Sequence, residues 1–163
     1  MLAITTVTPD GDFHMLLDAN DVVRVSGYGE LNALALRLPM ELQGSPLERV
    51  AIHPHQRLIE AYYAGDKTAL DRIPRMQQGS DFQGRVWEAI SSVGYGETVS
   101  YKQLADRSGS PAAVRAAGTI CGLNRLILLV PCHRILKSDG GIGSYLYGPK
   151  IKESLLRHEG AIT

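Results

Sequence analysis

The feature that most constrains the fold is an alternation of helix-start and helix-stop signals over residues 80–121. A capping-box pattern opens at Ser100 and predicts a helix over residues 101–107. After a glycine turn, the pair Ser110-Pro111 supplies an N-cap and a first-turn proline for a second helix, which runs to about Cys121. Two helices joined by a short glycine-containing turn predict a helix-turn-helix unit.

A third helix and a separate α/β unit are predicted before this motif. Apolar residues at helical spacing predict a helix over residues 81–92, with Ser80 or Asp81 as its cap. The predicted elements of the first half are strands over residues 13–17 and 22–28, a strand or helix over 31–38 and a helix over 56–64. We therefore predict an α/β (α+β) fold with an N-terminal α/β domain, residues 1–78, and a C-terminal helix-turn-helix domain, residues 79–163.

Charge is distributed unevenly between these halves, although the chain as a whole has a formal net charge of zero. Residues 1–78 carry seven Lys and Arg against ten Asp and Glu, and residues 79–163 carry ten against seven. The excess of cations in the second half favours an anionic partner for that half.

The chain has two cysteines, too few for a disulfide scaffold. Its first residues lack the basic end and the unbroken apolar stretch of a signal peptide, and no apolar run approaches the roughly 18 residues that span a bilayer. We expect a cytoplasmic protein without membrane contact, in which both thiols are reduced.

The second helix of the helix-turn-helix has a bare surface. Its sequence, PAAVRAAGTIC, offers Arg115 as the one charged side chain among alanine and glycine. A helix that reads base edges in the major groove projects several polar side chains. One interpretation is close approach to a narrow groove with a single inserted side chain. The other is tight packing of the helix, with Arg115 solvated.

A short apolar run, residues 126–130, leads to Cys132 and two basic neighbours. The run predicts a buried strand or a strand-like approach to a loop. A cysteine in such a place is ordinarily inert, because desolvation raises its pKa. His133 and Arg134 favour the thiolate, since a nucleophilic cysteine needs a base that a third group orients. Cys132 is therefore the candidate nucleophile, whereas Cys121 is predicted to be a small core residue.

Longer motifs surround Cys132 on both sides. VPCHRI is followed by GGIGSY and LLRHEG and preceded by FQGRVWEAI and YGETVSY, and with these motifs the stretch from Phe82 to Gly160 resembles the O6-alkylguanine-DNA alkyltransferase family. TPDGDF, VSGYG and AYYAGD in the first half are similar, more loosely, to the N-terminal domain of that family. The resemblance implies a small RNase H-like α/β domain followed by a winged helix-turn-helix-like domain with the active site.

The resemblance implies a catalytic role for five residues. Cys132 resembles the nucleophile that accepts the alkyl group, His133 the residue that takes the thiol proton through a water, and Glu159 the carboxylate that orients the imidazole. Asn124 resembles the residue that pins the turn between the helix-turn-helix and the active site. Tyr101 resembles the hydroxyl that hydrogen-bonds guanine N3 and crowds the target phosphate.

The resemblance also implies binding residues and favours the groove-binding interpretation of the second helix. Arg115 resembles the finger that fills the space left in the duplex by a flipped base. The other predicted DNA contacts are Tyr101, Ala112, Ala113, Ala116, Ala117 and Gly118. The predicted substrate-binding residues are Val130, Pro131, Gly143, Ser144, Tyr145 and Tyr147, of which residues 143–145 resemble the loop that closes over the base.

The implied activity is irreversible transfer of an alkyl group from O6-alkylguanine in double-stranded DNA to Cys132, with O4-alkylthymine as a further candidate substrate. The thiolate attacks the alkyl carbon in line, and the target nucleotide leaves the base stack at a cost of a few kcal/mol. The thioether product is stable, so each molecule acts once. The resemblance implies neither a metal nor a cofactor, and a monomer is expected.

The sequence departs from the family pattern at three positions near the site. Arg125 stands where many relatives have proline, and the extra cation predicts either a phosphate contact or a solvated side chain. Ile135 replaces a more usual valine, a change interpreted as neutral. Tyr147 narrows a pocket that a small residue would leave open, which predicts ready repair of methyl adducts and poor repair of benzyl adducts.

The first half differs from some relatives that bind zinc there through cysteines, because it contains no cysteine. His53 and His55 flank a proline and are interpreted as surface residues, not as a metal pair.

Three other functions are compatible with parts of this pattern. A binding module of the same fold would bind alkylated DNA without repairing it, but family members of that kind usually lack the cysteine. A Cys-His hydrolase would need an oxyanion-hole pattern, which the sequence does not offer. A helix-turn-helix regulator would bind DNA with strong sequence dependence. A transferase is instead expected to bind DNA with weak sequence dependence and marked salt dependence.

Overall fold

A computed structural model describes all 163 residues as a mixed α/β protein, which confirms the predicted fold class. The chain divides into two compact units. The first comprises residues 1–77 with 125–129, and the second comprises residues 78–124 with 130–163. The interpretation of two domains that meet at residue 78, and the RNase H-like and winged descriptions, stay predictions.

The first unit contains a four-stranded sheet. Its strands are β1 (Leu2–Thr8), β2 (Gly11–Leu17), β3 (Val23–Tyr28) and β4 (Glu48–Val50), in the spatial order β3-β2-β1-β4. β2 pairs antiparallel with β1 and β3, and β4 pairs parallel with β1. The predicted hairpin turn joins β2 to β3, where the Asp18 N–H donates to the Val22 carbonyl at 3.0 Å. β1 was not predicted, although its threonines, valine and isoleucine are typical of strands.

Helices and short turns complete the first unit. They are α1 (Leu31–Ala35), α2 (Pro54–Tyr63) and two 3₁₀ turns (Met40–Leu42 and Ala69–Arg72). The ambiguous stretch over residues 31–38 is therefore helical at its start, because Leu31, Leu34 and Leu38 pack together in a core cluster with Ala3 and Leu16 of the sheet.

His53 and His55 have structural roles at the start of α2. The His53 ring accepts the backbone N–H of His55 at 3.2 Å and caps the helix. His55 is buried, and its Nε2 lies 3.2 Å from the Asp21 carbonyl oxygen. The interpretation of His55 as a surface residue is wrong, because the ring bonds to the turn before β3.

The apolar run over residues 126–130 is buried but does not form a strand. Leu126 makes one isolated bridge with Ser26, whose hydroxyl donates to the Ile127 carbonyl at 2.7 Å. Leu128 has φ of 71°, a region that bulky side chains rarely adopt, so the extended chain is interrupted there. Residues 127–129 form a turn and Leu126 alone makes a strand-like pairing, so neither the predicted strand nor the predicted strand-like approach describes this run.

The second unit is mainly helical. Its elements are α3 (Asp81–Ser91), β5 (Val99–Ser100), α4 (Tyr101–Arg107), α5 (Val114–Gly122), a 3₁₀ turn (Cys132–Arg134), β6 (Ile135–Leu136) and α6 (Pro149–His158). β5 and β6 pair in parallel. Capping boxes open α3 and α4: Ser80 accepts the Gln83 N–H at 3.2 Å, and Ser100 accepts the Gln103 N–H at 3.1 Å. Both helix starts were predicted.

α4 and α5 pack against each other as the predicted helix-turn-helix, but α5 begins later than expected. The Ala113 N–H donates to the Ser110 carbonyl at 2.9 Å and closes a turn with Pro111 at its second position. The predicted start of the helix at Ser110-Pro111 is therefore wrong, because the proline shapes the turn and α5 begins at Val114.

Helices of the length and apolar character that crossing a membrane requires are absent from the structure.

Candidate active site

Cys132 lies on a tight turn that the end of α5 holds in place. The Cys132 N–H donates to the Val130 carbonyl at 2.8 Å and closes an inverse γ-turn around Pro131, which has φ −81° and ψ 62°. The Asn124 amide donates to the same Val130 carbonyl at 2.8 Å, and Asn124 is 1% exposed. Asn124, two residues after the end of α5, therefore fastens the helix-turn-helix to the turn that carries the candidate nucleophile.

A buried carboxylate, Glu159, joins His133 to Arg134. His133 Nε2 lies 2.8 Å from Glu159 Oε1, and both side chains are fully buried. The Arg134 guanidinium donates to both Glu159 oxygens at 2.9 Å and to the Val93 carbonyl at 2.6 Å. Burial would raise the pKa of Glu159, but the hydrogen bonds from His133 and Arg134 outweigh burial and hold the pKa well below its ordinary value. Glu159 is therefore ionised and can only accept hydrogen bonds.

The ionised carboxylate sets the tautomer of His133. Because Glu159 only accepts, His133 Nε2 carries the proton and Nδ1 has a free lone pair. Burial lowers the pKa of His133, so the ring is neutral near pH 7. Nδ1 is buried and has no hydrogen-bond partner. A neutral ring that is oriented on one nitrogen and open on the other is equipped to act as a base.

Three side chains act on the Cys132 sulfur, which belongs to a residue only 5% exposed. The hydrogen bond with Cys121, on the last turn of α5, lowers the pKa of Cys132. Asn124 and the ammonium of Lys152 act in the same direction, and together they outweigh burial. Cys121 is buried, as predicted, and its effect on the pKa of Cys132 was not predicted from the sequence. Arg134 was expected to favour the thiolate, yet its guanidinium is bonded to Glu159 and Val93.

Lys152 is the buried cation that faces this sulfur, and it was also missed. Its side chain is completely buried, and Nζ donates to the carbonyls of Ile135 at 2.6 Å and Ser144 at 3.1 Å. It thereby ties the predicted base-covering loop to the strand after Cys132. The signal was present in the sequence: Lys152 shares a face of α6 with Leu155 and Leu156, at i+3 and i+4.

The side chain of Tyr101, the first residue of α4, lies close in space to two glycines, Gly118 and Gly143. A side chain at Gly143 would bring Cβ to 3.4 Å from the Tyr101 hydroxyl, and one at Gly118 would come to 3.6 Å from the ring. Gly143 also has φ of 78°, which favours glycine. Burial raises the pKa of Tyr101 to about 12, so its hydroxyl stays protonated near neutral pH and can donate.

The predicted DNA contacts on the bare helix are not equivalent. Arg115, Ala112 and Ala116 are exposed, and Ala113 and Gly118 are half-buried. Ala117 is completely buried, so its prediction as a DNA contact is wrong: it packs α5 onto the unit. Among the predicted substrate residues, Val130 and Pro131 are buried, Ser144 is exposed, and Gly143, Tyr145 and Tyr147 are half-buried.

Arg125 belongs to the first unit. Its Nε donates to the Arg37 carbonyl at 3.1 Å, and its backbone N–H donates to Gln77 Oε1 at 3.1 Å. The residue is half-buried and its Nε is bonded, so the side chain is not simply solvated as one of the two alternatives had it. A phosphate contact by Arg125 stays a prediction.

The fold and the site define a mixed α/β protein in which a buried, activated thiol adjoins a helix-turn-helix. A family model described as the DNA-binding domain of 6-O-methylguanine DNA methyltransferase matches residues 81–161. A Methanosarcina acetivorans protein named methylated-DNA–protein-cysteine methyltransferase is 39% identical over 105 residues, which cover 64% of this chain and 67% of that protein. The crystal structure of Mycobacterium tuberculosis OGT in complex with DNA matches with a TM-score of 0.80 and 27% identity, over 99% of this chain and 94% of that one.

This chain belongs to the methylated-DNA–protein-cysteine methyltransferase family. A further relative, the Escherichia coli protein named bifunctional transcriptional activator/DNA repair enzyme Ada, is 44% identical over 145 residues, or 89% of this chain. The chain spans less than two thirds of the length of several curated relatives, including 38% of the E. coli protein and 61% of a methyltransferase from M. tuberculosis.

Proposed function

We propose that this protein removes alkyl groups from O6 of guanine in DNA by transferring them irreversibly to Cys132. The observation that carries the proposal is the buried Cys132 next to a His133–Glu159 pair, on a turn that Asn124 fastens to the helix-turn-helix. Membership of the methyltransferase family supports it, as does the likeness to a solved relative in complex with DNA.

The transfer begins with the loss of the Cys132 proton. His133 Nδ1 accepts that proton, directly or through one water, and ionised Glu159 stabilises the resulting imidazolium across the 2.8 Å contact. Cys132 Sγ then forms a bond to the alkyl carbon as the bond from that carbon to O6 breaks. The electron pair of the broken bond leaves on the guanine, and Tyr101 donates a hydrogen bond that stabilises this charge. The thioether has no route back to the thiol, so the protein acts once.

DNA binding falls on α5 and the turn before it. Arg115 is exposed on a helix of small residues, which suits insertion into the minor groove and occupation of the space left by the flipped guanine. The exposed Ala112 and Ala116 allow the backbone to approach the groove. Residues 143–145, which Lys152 holds through the Ser144 carbonyl, cover the flipped base. The free thiols that this chemistry requires are consistent with a cytoplasmic location.

Intact-protein mass tests the proposal directly. The protein is incubated with a duplex that contains one O6-methylguanine, beside a Cys132→Ser variant. A gain of one methyl group in the wild-type protein only is the expected result. No gain with retained lesion-selective binding would instead indicate the non-catalytic binding module, which the activated Cys132 disfavours.

Adduct size is a finer part of the proposal. Tyr147 is half-buried, with its ring centroid 6.3 Å from that of Tyr145, and it narrows the pocket. We expect O6-methylguanine duplexes to inactivate the protein faster than O6-benzylguanine duplexes, and Tyr147→Ala to reduce the difference. Equal rates in the wild-type protein would contradict this role.

A further inference from the structure

Residues 125–129 belong to the first unit, although the residues on either side of them belong to the second. The chain enters the first unit after Asn124 and returns to the second at Val130, two residues before Cys132. A group of the first unit that holds residues 125–129 therefore acts on the candidate nucleophile along the peptide chain.

Ser26, on β3, holds this segment through two hydrogen bonds. Its backbone N–H donates to the Arg125 carbonyl at 2.9 Å, and its hydroxyl donates to the Ile127 carbonyl at 2.7 Å. Ser26 is completely buried, and Ile127 is buried as well. Because water does not reach the Ile127 carbonyl, solvent cannot replace this bond when the hydroxyl is removed, and the loss of the bond has its full cost.

The hydroxyl of Ser26 fixes the chain directly before a strained residue. The Ile127 carbonyl is part of the peptide unit that precedes Leu128, and Leu128 has φ of 71°. A leucine is strained at this φ, and such strain persists only where surrounding contacts hold it. On the other side of Leu128, the Val130 carbonyl accepts the Asn124 amide and the Cys132 N–H, each at 2.8 Å. The strained residue therefore lies between two carbonyls that hydrogen bonds hold in place.

We propose that Ser26 is a positioning residue for alkyl transfer, which keeps Leu128 in its strained conformation and thereby sets the position of the turn that carries Cys132. This role rests on the proposed function, because it concerns the geometry of the same transfer. Without the hydroxyl, the Ile127 carbonyl rotates, Leu128 relaxes toward negative φ, and the turn around Pro131 moves with it. In-line attack is sensitive to displacements of about 1 Å, so a small shift of Cys132 slows the transfer.

Amide hydrogen exchange, followed by NMR, tests this link without DNA. Ser26→Ala removes the hydroxyl, and the protection of the Cys132 N–H should fall by about tenfold, as the loss of one buried hydrogen bond typically gives. Ser108→Ala is the matched control, because the buried Ser108 hydroxyl also donates to a carbonyl, that of Leu104, at 2.7 Å. The control should leave the Cys132 N–H as protected as in wild type. Unchanged protection in Ser26→Ala, or an equal loss in both variants at equal urea midpoints, would overturn the proposed role.

Methyl transfer from an O6-methylguanine duplex provides the second measurement. At saturating duplex, the rate constant of Ser26→Ala should fall by about three- to tenfold. The affinity for the duplex, measured in a Cys132→Ser background, should not change, because the proposed DNA contacts lie on α5 and the turn before it. Ser26→Thr keeps the hydroxyl and should restore most of the rate.

A wild-type rate constant in Ser26→Ala would overturn the role of Ser26, as would a loss confined to DNA affinity. A folded threonine variant that is as slow as alanine would do the same, because the hydroxyl would then be irrelevant. If the wild-type protein transfers no methyl group at all, the proposed function fails. The exchange measurement still decides in that case whether Ser26 holds the turn that carries Cys132.

Discussion

Each unit of the molecule contains a deeply buried histidine, and the two are bonded differently. In the first unit, His14 has partners on both ring nitrogens: Thr5 Oγ1 at 2.8 Å and the Gly29 carbonyl at 2.6 Å. In the second unit, His133 is bonded to Glu159 on Nε2, and its Nδ1 has no partner. Burial and a free second nitrogen do not by themselves distinguish the proposed base, because the buried Nδ1 of His55 in the first unit also lacks a partner. What sets His133 apart is the partner of its bonded nitrogen: Glu159 is an ionised carboxylate that can stabilise an imidazolium, whereas His14 and His55 contact backbone carbonyls.

The largest difference between the two histidines should be in alkyl transfer. His133→Gln removes the proposed base, so the rate constant for methyl transfer should fall by about 10²–10⁴. His14→Gln should leave that rate unchanged. Single-turnover transfer from an O6-methylguanine duplex measures both variants, and equal losses would abolish the distinction.

The carboxylate that orients His133 should also dominate stability in its unit. Glu159→Gln leaves the buried Arg134 guanidinium without its charged partner, a change that typically costs about 3–5 kcal/mol. Glu153→Gln is the matched control, because the Glu153–Arg157 pair is exposed and is expected to contribute about 0–1 kcal/mol. Urea denaturation gives the free energy of unfolding of both variants. Similar losses would mean that the buried Glu159 cluster stabilises the fold no more than an exposed ion pair does.

His14 should show the opposite behaviour from His133. His14→Phe leaves the Gly29 carbonyl and the Thr5 hydroxyl without their partner and should destabilise the fold by about 1–3 kcal/mol. Methyl transfer by the folded variant should match wild type. A variant of full stability, or one that is folded but slow in transfer, would show that the comparison has assigned His14 wrongly.

The smallest expected effect is on the acid sensitivity of folding. The pKa of Glu159 is lower in the folded chain than the ordinary value of about 4.3, so protonation favours the unfolded chain. Its stabilising contribution is complete above about pH 4.3 and is lost as the pH falls toward the lower, folded value. The gap between the urea midpoints of wild type and Glu159→Gln should therefore narrow from pH 6 to pH 3. A gap that is constant with pH would argue that Glu159 is not ionised in the fold.

The parts of the fold that the sequence predicts well are those with local physical causes. Ser100 and Gln103 are close in sequence and bond each other's backbone, so the start of α4 can be read from four residues. The start of α5 could not be predicted in this way, because the Ser110-Pro111 signal suits a turn as well as a helix. Tertiary packing decides which of the two forms. The interruption at Leu128 has no local signal, since leucine rarely adopts a positive φ.

The residues of the candidate site also divide into those that the sequence predicts and those that it does not. Cys132, His133 and Glu159 follow from motifs, and the structure brings His133 and Glu159 together across 26 residues. Cys121 and Lys152 act on the same sulfur from α5 and α6, and sequence spacing does not reveal such effects between separate helices. Lys152 shares a face of α6 with leucines, and this pattern predicts a buried lysine. It does not identify the groups that the lysine contacts.

The burial of Arg134 and Lys152 separates the cations of the second unit into two populations. These two side chains are 8% and 0% exposed and face Glu159 and backbone carbonyls, so they cannot displace counterions from a DNA duplex. The slope of log affinity against log salt concentration, about −0.9 for each neutralised phosphate, should therefore count surface cations such as Arg115 and omit the buried pair. A count of cations taken from the sequence therefore overstates the salt dependence that is expected for the proposed DNA binding.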